Sequence, residues 1–117
     1  MRRLRILLVE DDAVISALLV ELLTELGYDV CGTAVTETEA VAAALRDAPD
    51  LMIVDAHLRD GSGVSAMDTI LGRSAMPHFF MTGGSRRTLP ANATVLRKPF
   101  GIAAIKAALD GVAQEIA

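Results

Sequence analysis

The sequence ILLVEDD at residues 6–12 places four consecutive apolar residues directly before three acidic ones. A second stretch, LMIVD at residues 51–55, repeats the pattern with a single acid at its end. Short apolar runs without polar alternation are typical of strands that are buried on both faces, as in parallel sheets. Both runs therefore predict central strands whose carboxyl ends carry acidic side chains.

Amphipathic segments separate these strands from other short apolar runs. Apolar residues recur at helical spacing after Asp12, which can cap a helix that Gly27 can end. Thr36 and Glu39 have the spacing of a capping box for a second helix, which runs through Leu45. The other predicted elements are a strand at residues 28–34, a helix at residues 64–71, strands at residues 79–81 and 94–96, and a helix at residues 102–116.

Strands that alternate with amphipathic helices predict an α/β fold with a doubly wound parallel sheet. Five strands favour the flavodoxin-like strand order 2-1-3-4-5. Only 15 residues separate Thr82 from Lys98, which is close to the minimum for a parallel crossover that contains a helix. We therefore expect the helix between the fourth and fifth strands to be absent or reduced to a single turn at residues 85–89.

The chain has 117 residues, of which 52% are hydrophobic, and a formal net charge of -4. This length predicts one domain over residues 1–117 without a separate output domain, and a first strand so close to Met1 favours a complete protein. The acidic balance and the 3% aromatic content argue against nucleic-acid binding. The apolar runs are too short for a membrane helix, and the lone Cys31 excludes an internal disulfide, so we expect a cytoplasmic protein.

Polar residues follow the predicted strands where the carboxyl ends of parallel strands meet. Glu10 and Asp11 follow the first strand, and Asp55 ends the third. Thr82 follows the fourth strand, and Lys98 follows the fifth. Carboxylates that converge repel one another unless a cation lies among them, and Mg²⁺ prefers such oxygen ligands. A lysine and a hydroxyl beside the cation can hold a phosphoryl group.

This set of residues, in this order, resembles the receiver domain of bacterial two-component response regulators over essentially the whole chain. The resemblance implies a CheY-like fold and a phosphorelay function, in which a sensor histidine kinase or a histidine phosphotransferase phosphorylates Asp55. It implies a protein that acts on a downstream protein through direct contacts, or that serves as a phosphate sink. It also implies that the domain is not an enzyme for external substrates and that its catalysis is confined to its own phosphorylation and dephosphorylation.

The same resemblance implies a role for each site residue. Asp11 and Asp55 would ligate Mg²⁺ through carboxylate oxygens. Glu10 would do so directly or through water, and His57 would contribute its backbone carbonyl. The residues that would contact the phosphoryl group are Thr82 and Lys98.

The segment PHFFMTG at residues 77–83 also resembles the single-domain receivers nicknamed "FAT GUY", after Phe-Ala-Thr-Gly at that place. In ordinary receivers an aromatic residue three positions before the lysine turns inward on phosphorylation, but here that residue is Val95. The readout implied by the resemblance would therefore use Thr82, Gly83 and Val95 in an altered form. The resemblance further implies a cis peptide bond between Lys98 and Pro99.

Two other functions are compatible with parts of this pattern. One is a protein-binding module of receiver fold that works without phosphorylation, although the intact set of site residues argues against it. The other is a phosphohydrolase with Asp55 as nucleophile, which is disfavoured because His57, not an acid, stands two residues later and no cap segment exists. The ring of His57 either faces the phosphoryl group or is simply solvated.

Overall fold

The two apolar runs that end in acids form neighbouring strands at the centre of a parallel sheet in the computed structural model, which describes residues 3–84 and 89–116. The sheet has the order β2-β1-β3-β4-β5, which confirms the flavodoxin-like topology expected from the sequence. The fifth strand begins at Val95, one residue later than predicted. The strands are β1 (Arg5–Val9), β2 (Asp29–Ala34), β3 (Leu51–Asp55), β4 (His78–Thr82) and β5 (Val95–Arg97).

Four helices cover the sheet in the described ranges, and side-chain caps fix where the first two begin. Asp12 Oδ1 accepts the backbone N–H groups of Val14 and Ile15, as the cap prediction requires. Thr36 Oγ1 accepts the backbone N–H of Glu39, which confirms the second cap. The helices are α1 (Ala13–Glu25), α2 (Glu37–Asp47), α3 (Gly63–Leu71) and α4 (Ile102–Ile116).

The core has two layers because successive strand residues point to opposite faces of the sheet. Leu7 and Val9 of β1 pack with buried residues of α2 and α3, whereas Ile6 and Leu8 pack with buried residues of α1 and α4. The apolar residues at helical spacing extend beyond the part that the sheet covers. Three of these apolar residues are not covered by the sheet and are each more than 60% exposed: Val14, Leu18 and Ile102.

The connection from β4 to β5 forms bends and turns, without a helix, at its described residues 83–84 and 89–94. Leu89 is buried in the core layer below α2 and α3, and the N–H of Ala93 donates to the carbonyl of Pro90. The single turn expected at residues 85–89 falls mainly on residues 85–88, which lie outside the described residues. Within the described ranges, none of the helices has the length and apolar content needed to span a bilayer.

Candidate functional site

Three carboxylates meet at the carboxyl ends of β1 and β3. The two strands pair in parallel with Val9 opposite Val54, so the acids that follow or end them become neighbours. Glu10, Asp11 and Asp55 each place one carboxylate oxygen within 4.8 Å of the others. Glu10 is 1% exposed and Asp55 is 6% exposed, so two of the three charges lie where water offers little screening.

Lys98 supplies a positive charge to this cluster from the end of β5. Its Nζ donates to Glu10 Oε1 at 2.5 Å and to Asp55 Oδ2 at 2.9 Å. Its backbone N–H donates to the carbonyl of Thr82, which extends the pairing of β5 with β4. This bond holds the backbone from which the Lys98 side chain extends. Burial opposes the ammonium charge, but the hydrogen bonds to Glu10 and Asp55 outweigh it and raise the pKa of Lys98 above its usual value.

Glu10 is held on both carboxylate oxygens. Oε1 accepts from Lys98, and Oε2 accepts the backbone N–H of Asp12 at 3.0 Å. Burial nevertheless raises the pKa of Glu10 above its usual value, since its charge is withdrawn from water beside that of Asp55. The side chain of Asp12 is occupied by the cap of α1, as the sequence predicts.

Asp11 faces the loop between β3 and α3, and both the backbone and the side chain of Arg59 in that loop contact it. The backbone N–H of Arg59 donates to Asp11 Oδ2 at 2.6 Å, and the guanidinium Nε lies 3.6 Å from the same oxygen. Burial works against the carboxylate charge, but the hydrogen bond from Arg59 outweighs it and lowers the pKa of Asp11. No sequence pattern identifies Arg59 as part of this site, because an arginine in a polar loop carries no local signal of an acid 48 residues away.

Thr82 and His57 stand beside Asp55 at the opening of the site. The Oγ1 of Thr82, a residue only 2% exposed, accepts the N–H of Gly84 at 3.0 Å and keeps its own proton to donate. The backbone N–H of His57 donates to Asp55 Oδ1 at 3.1 Å. A Cβ added at Gly84 would lie 3.8 Å from both His57 Nε2 and Thr82 Oγ1, so the exposed ring of His57 borders this opening.

Of the expected readout residues, Thr82 lies at the carboxyl end of β4, whereas Gly83 and Val95 are not part of the charged cluster. Val95 pairs with Phe80 in the sheet and packs, half-buried, against the core layer below α2 and α3. Gly83 is exposed and follows Thr82 directly. The peptide bond between Lys98 and Pro99 is cis, the form that the resemblance implies.

The donor set of the cluster fits Mg²⁺. All three groups are carboxylates, the hard oxygen ligands that this ion prefers, and their oxygens converge from two adjacent strands. Lys98 contacts only two of the three acids by the bonds described above, so the centre retains negative charge to attract a divalent cation. Asp11 is half-buried, which leaves a solvent-facing side for the water molecules that Mg²⁺ usually keeps.

Two curated proteins with similar sequences are regulators that are longer than this chain. The transcriptional regulatory protein PdtaR of Mycobacterium tuberculosis is 34% identical over 112 residues, covering 91% of this chain and 55% of that protein. The phyllosphere-induced regulator PhyR of Methylorubrum extorquens is 36% identical over 110 residues, covering 89% of this chain and 41% of that protein. The chain thus spans about half the length of the curated relatives it matches.

Solved structures of receiver domains superpose closely on this one. The response regulator receiver domain of PhyR from Erythrobacter litoralis gives a TM-score of 0.87 at 30% identity, covering 96% of this chain and 91% of that one. PhyR from Brucella abortus gives 0.87 at 29% identity, covering 95% of this chain and 48% of that one. Residues 6–110 match the family described as the response regulator receiver domain, and the chain belongs to that family.

Proposed function

We propose that this receiver domain is the phosphoacceptor of a two-component phosphorelay and that Asp55 is the residue phosphorylated. The observation that carries the proposal is the position of Asp55, which is buried between a lysine ammonium and two further carboxylates. A nucleophilic carboxylate beside a cation and a convergent metal-binding set is the arrangement that phosphoryl transfer requires.

The transfer step uses groups whose positions are described above. A carboxylate oxygen of Asp55 attacks the phosphorus of a phosphohistidine, a new P–O bond forms, and the P–N bond breaks with its electron pair left on the imidazole. The product is an acyl phosphate. Lys98 is placed to pair with a phosphoryl oxygen because its Nζ already contacts Asp55, and the hydroxyl of Thr82 can donate to another.

Mg²⁺ is the cofactor that we propose for this step. The residues that would hold it are Glu10, directly or through water, Asp11, Asp55 and the backbone carbonyl of His57. When bound, the ion offsets the charge of the carboxylates and of the transferred phosphoryl group. The chain's own contribution is to hold Asp55 by both oxygens, with Lys98 on Oδ2 and the His57 N–H on Oδ1.

The partners that we propose are a sensor histidine kinase or a histidine phosphotransferase as phosphodonor, and a protein that recognises the phosphorylated state. Residues 1–117 would form a single receiver domain that acts through protein contacts or as a phosphate sink. It would catalyse no reaction on an external substrate. Thr82, Gly83 and Val95 are the proposed route by which phosphorylation changes the surface of the domain.

Incubation with acetyl phosphate and Mg²⁺, followed by intact-mass measurement, tests this function. We expect a mass gain of one phosphoryl group that Asp55→Asn abolishes. The matched control is Asp68→Asn, which makes the same chemical change at an exposed position of α3 and should leave the adduct intact. Absence of an adduct on the wild-type chain contradicts the proposal and favours a binding module that works without phosphorylation. Continuous release of phosphate from several phosphate esters would instead indicate a phosphohydrolase.

A further inference from the structure

Two different cations, which reach the cluster of carboxylates from different elements, offset part of its negative charge. Lys98 donates to Glu10 and Asp55 from the end of β5. Asp11 is paired instead with Arg59, which lies in the loop between β3 and α3. The two cations have different surroundings, because the side chain of Lys98 is 20% exposed and that of Arg59 is 81% exposed.

The contacts between Arg59 and Asp11 have a backbone part and a side-chain part. The backbone N–H donates to Oδ2 at 2.6 Å, a short bond to a charged acceptor that orients the carboxylate. The guanidinium lies farther away, with Nε 3.6 Å from Oδ2 and Nη2 donating to the backbone carbonyl of Asp11 at 3.4 Å. Substitution of the side chain therefore removes the charge and leaves the orienting N–H in place.

We propose that the guanidinium of Arg59 is a resident counter-ion of Asp11 that competes with Mg²⁺, so that Arg59 sets the affinity of the site for the metal. The inference rests on the Mg²⁺ site of the proposed function. A divalent cation on Asp11 and the guanidinium beside the same carboxylate repel each other, and the exposed arginine can turn into solvent. Because exposed ion pairs are weak, removal of the charge should tighten Mg²⁺ binding by a small factor, roughly two- to fivefold.

Calorimetric titration of the unphosphorylated protein with Mg²⁺ tests this inference without any measurement of activity. Arg59→Gln should bind Mg²⁺ two- to fivefold more tightly than the wild type, whereas Arg59→Lys, which keeps the charge, should bind like the wild type. Arg46→Gln is the control for net charge, because Arg46 is an exposed arginine paired with Asp47 near the end of α2. The increase in Mg²⁺ affinity caused by Arg59→Gln should become smaller at high ionic strength, since salt screens exposed charges.

The possible results separate this inference from the function on which it rests. If the wild type binds Mg²⁺ and Arg59→Gln binds it equally or more weakly, the role of Arg59 is refuted and the metal site stands. If Arg46→Gln tightens Mg²⁺ binding as much as Arg59→Gln, the change in the net charge of the protein explains the effect, and the role of Arg59 is again refuted. If neither the wild type nor Arg59→Gln binds Mg²⁺, both the inference and the proposed cofactor are wrong.

Discussion

The Nζ of Lys98 donates to Oδ2 of Asp55 at 2.9 Å, although the two residues are 43 positions apart in the chain. The contact arises because β3 and β5 flank β4 in a parallel sheet, so that the end of each strand lies on the same edge. It joins the proposed nucleophile to the cation that would receive a phosphoryl oxygen. The same ammonium also contacts Glu10, so two buried carboxylates share a single cation.

Lys98→Met should lower the stability of the domain and the rate at which Asp55 is phosphorylated. Breaking a buried ion pair by removing one partner costs about 3 kcal/mol or more, because Glu10 and Asp55 would keep their burial without their cation. Urea denaturation should show this loss in the free energy of unfolding, and added Mg²⁺ should restore more stability to the variant than to the wild type. Lys106→Met, at an exposed position of α4, should change stability little. An equal loss in both variants would contradict the proposed role of Lys98.

Thr82→Val should slow phosphorylation of Asp55 while leaving the fold intact. The substitution keeps the shape of the side chain and removes the hydroxyl, and a hydrogen bond to a charged group contributes about 1.5–3 kcal/mol, so the rate should fall about tenfold or more. Initial rates with acetyl phosphate and Mg²⁺ measure the effect, and Thr82→Ser should retain most of the rate. Thr33→Val makes the same change at an exposed position of β2. If Thr82→Val reacts at the wild-type rate, Thr82 does not contact the phosphoryl group during transfer.

Gly63→Ala should destabilise the domain, whereas Gly111→Ala should stabilise it. A Cβ at Gly63 would overlap the backbone carbonyl oxygen of Asp55 and lie 2.7 Å from Val54 Cγ1, so the start of α3 would have to move away from β3. We expect a loss of about 2 kcal/mol or more. Gly111 lies exposed within α4 with no atom within 4 Å of an added Cβ, so alanine should add about 0.5–1 kcal/mol. Thermal denaturation compares the two variants, and similar shifts in the same direction would contradict the expectation.

The single tyrosine should titrate above its ordinary pH range in the folded protein. Burial and the nearby charge of Asp110 raise the pKa of Tyr28 above 10, because both disfavour the phenolate. The stability that the neutral phenol contributes is therefore fully present below pH 10 and is lost as the pH rises through the folded pKa. Absorbance of tyrosinate reports this residue alone, since the chain has one tyrosine and no tryptophan.

Unfolding in urea should return the midpoint of that titration to about 10. Asp110→Asn should lower the midpoint of the folded protein toward the same value, and Asp68→Asn should leave it unchanged. A folded midpoint equal to the unfolded one would show that neither burial nor Asp110 acts on Tyr28.

The sequence predicted the sheet and most of the site because both depend on local patterns. An apolar run that ends in an acid predicts a buried parallel strand and its direction, and the direction decides which polar residues share an edge. Glu10 and Asp11 follow β1 and Asp55 ends β3, so the shared direction of these two neighbouring strands is enough to place the three acids together. The caps at Asp12 and Thr36 were equally local, since each depends on residues no more than three positions apart.

Tertiary structure alone decided two other features. The apolar periodicity of α1 and α4 does not show how many of their apolar residues pack against the sheet. In the structure Leu18 and Ile102 belong to these patterns but are exposed. The pairing of Arg59 with Asp11 depends on where the loop after β3 passes the end of β1. No local residue pattern predicts such a contact between residues that are 48 positions apart in the chain. Local sequence thus determined which groups collect at the edge of the sheet, whereas the packing of helices and loops determined which cations meet them, because such contacts are set by the whole assembled chain.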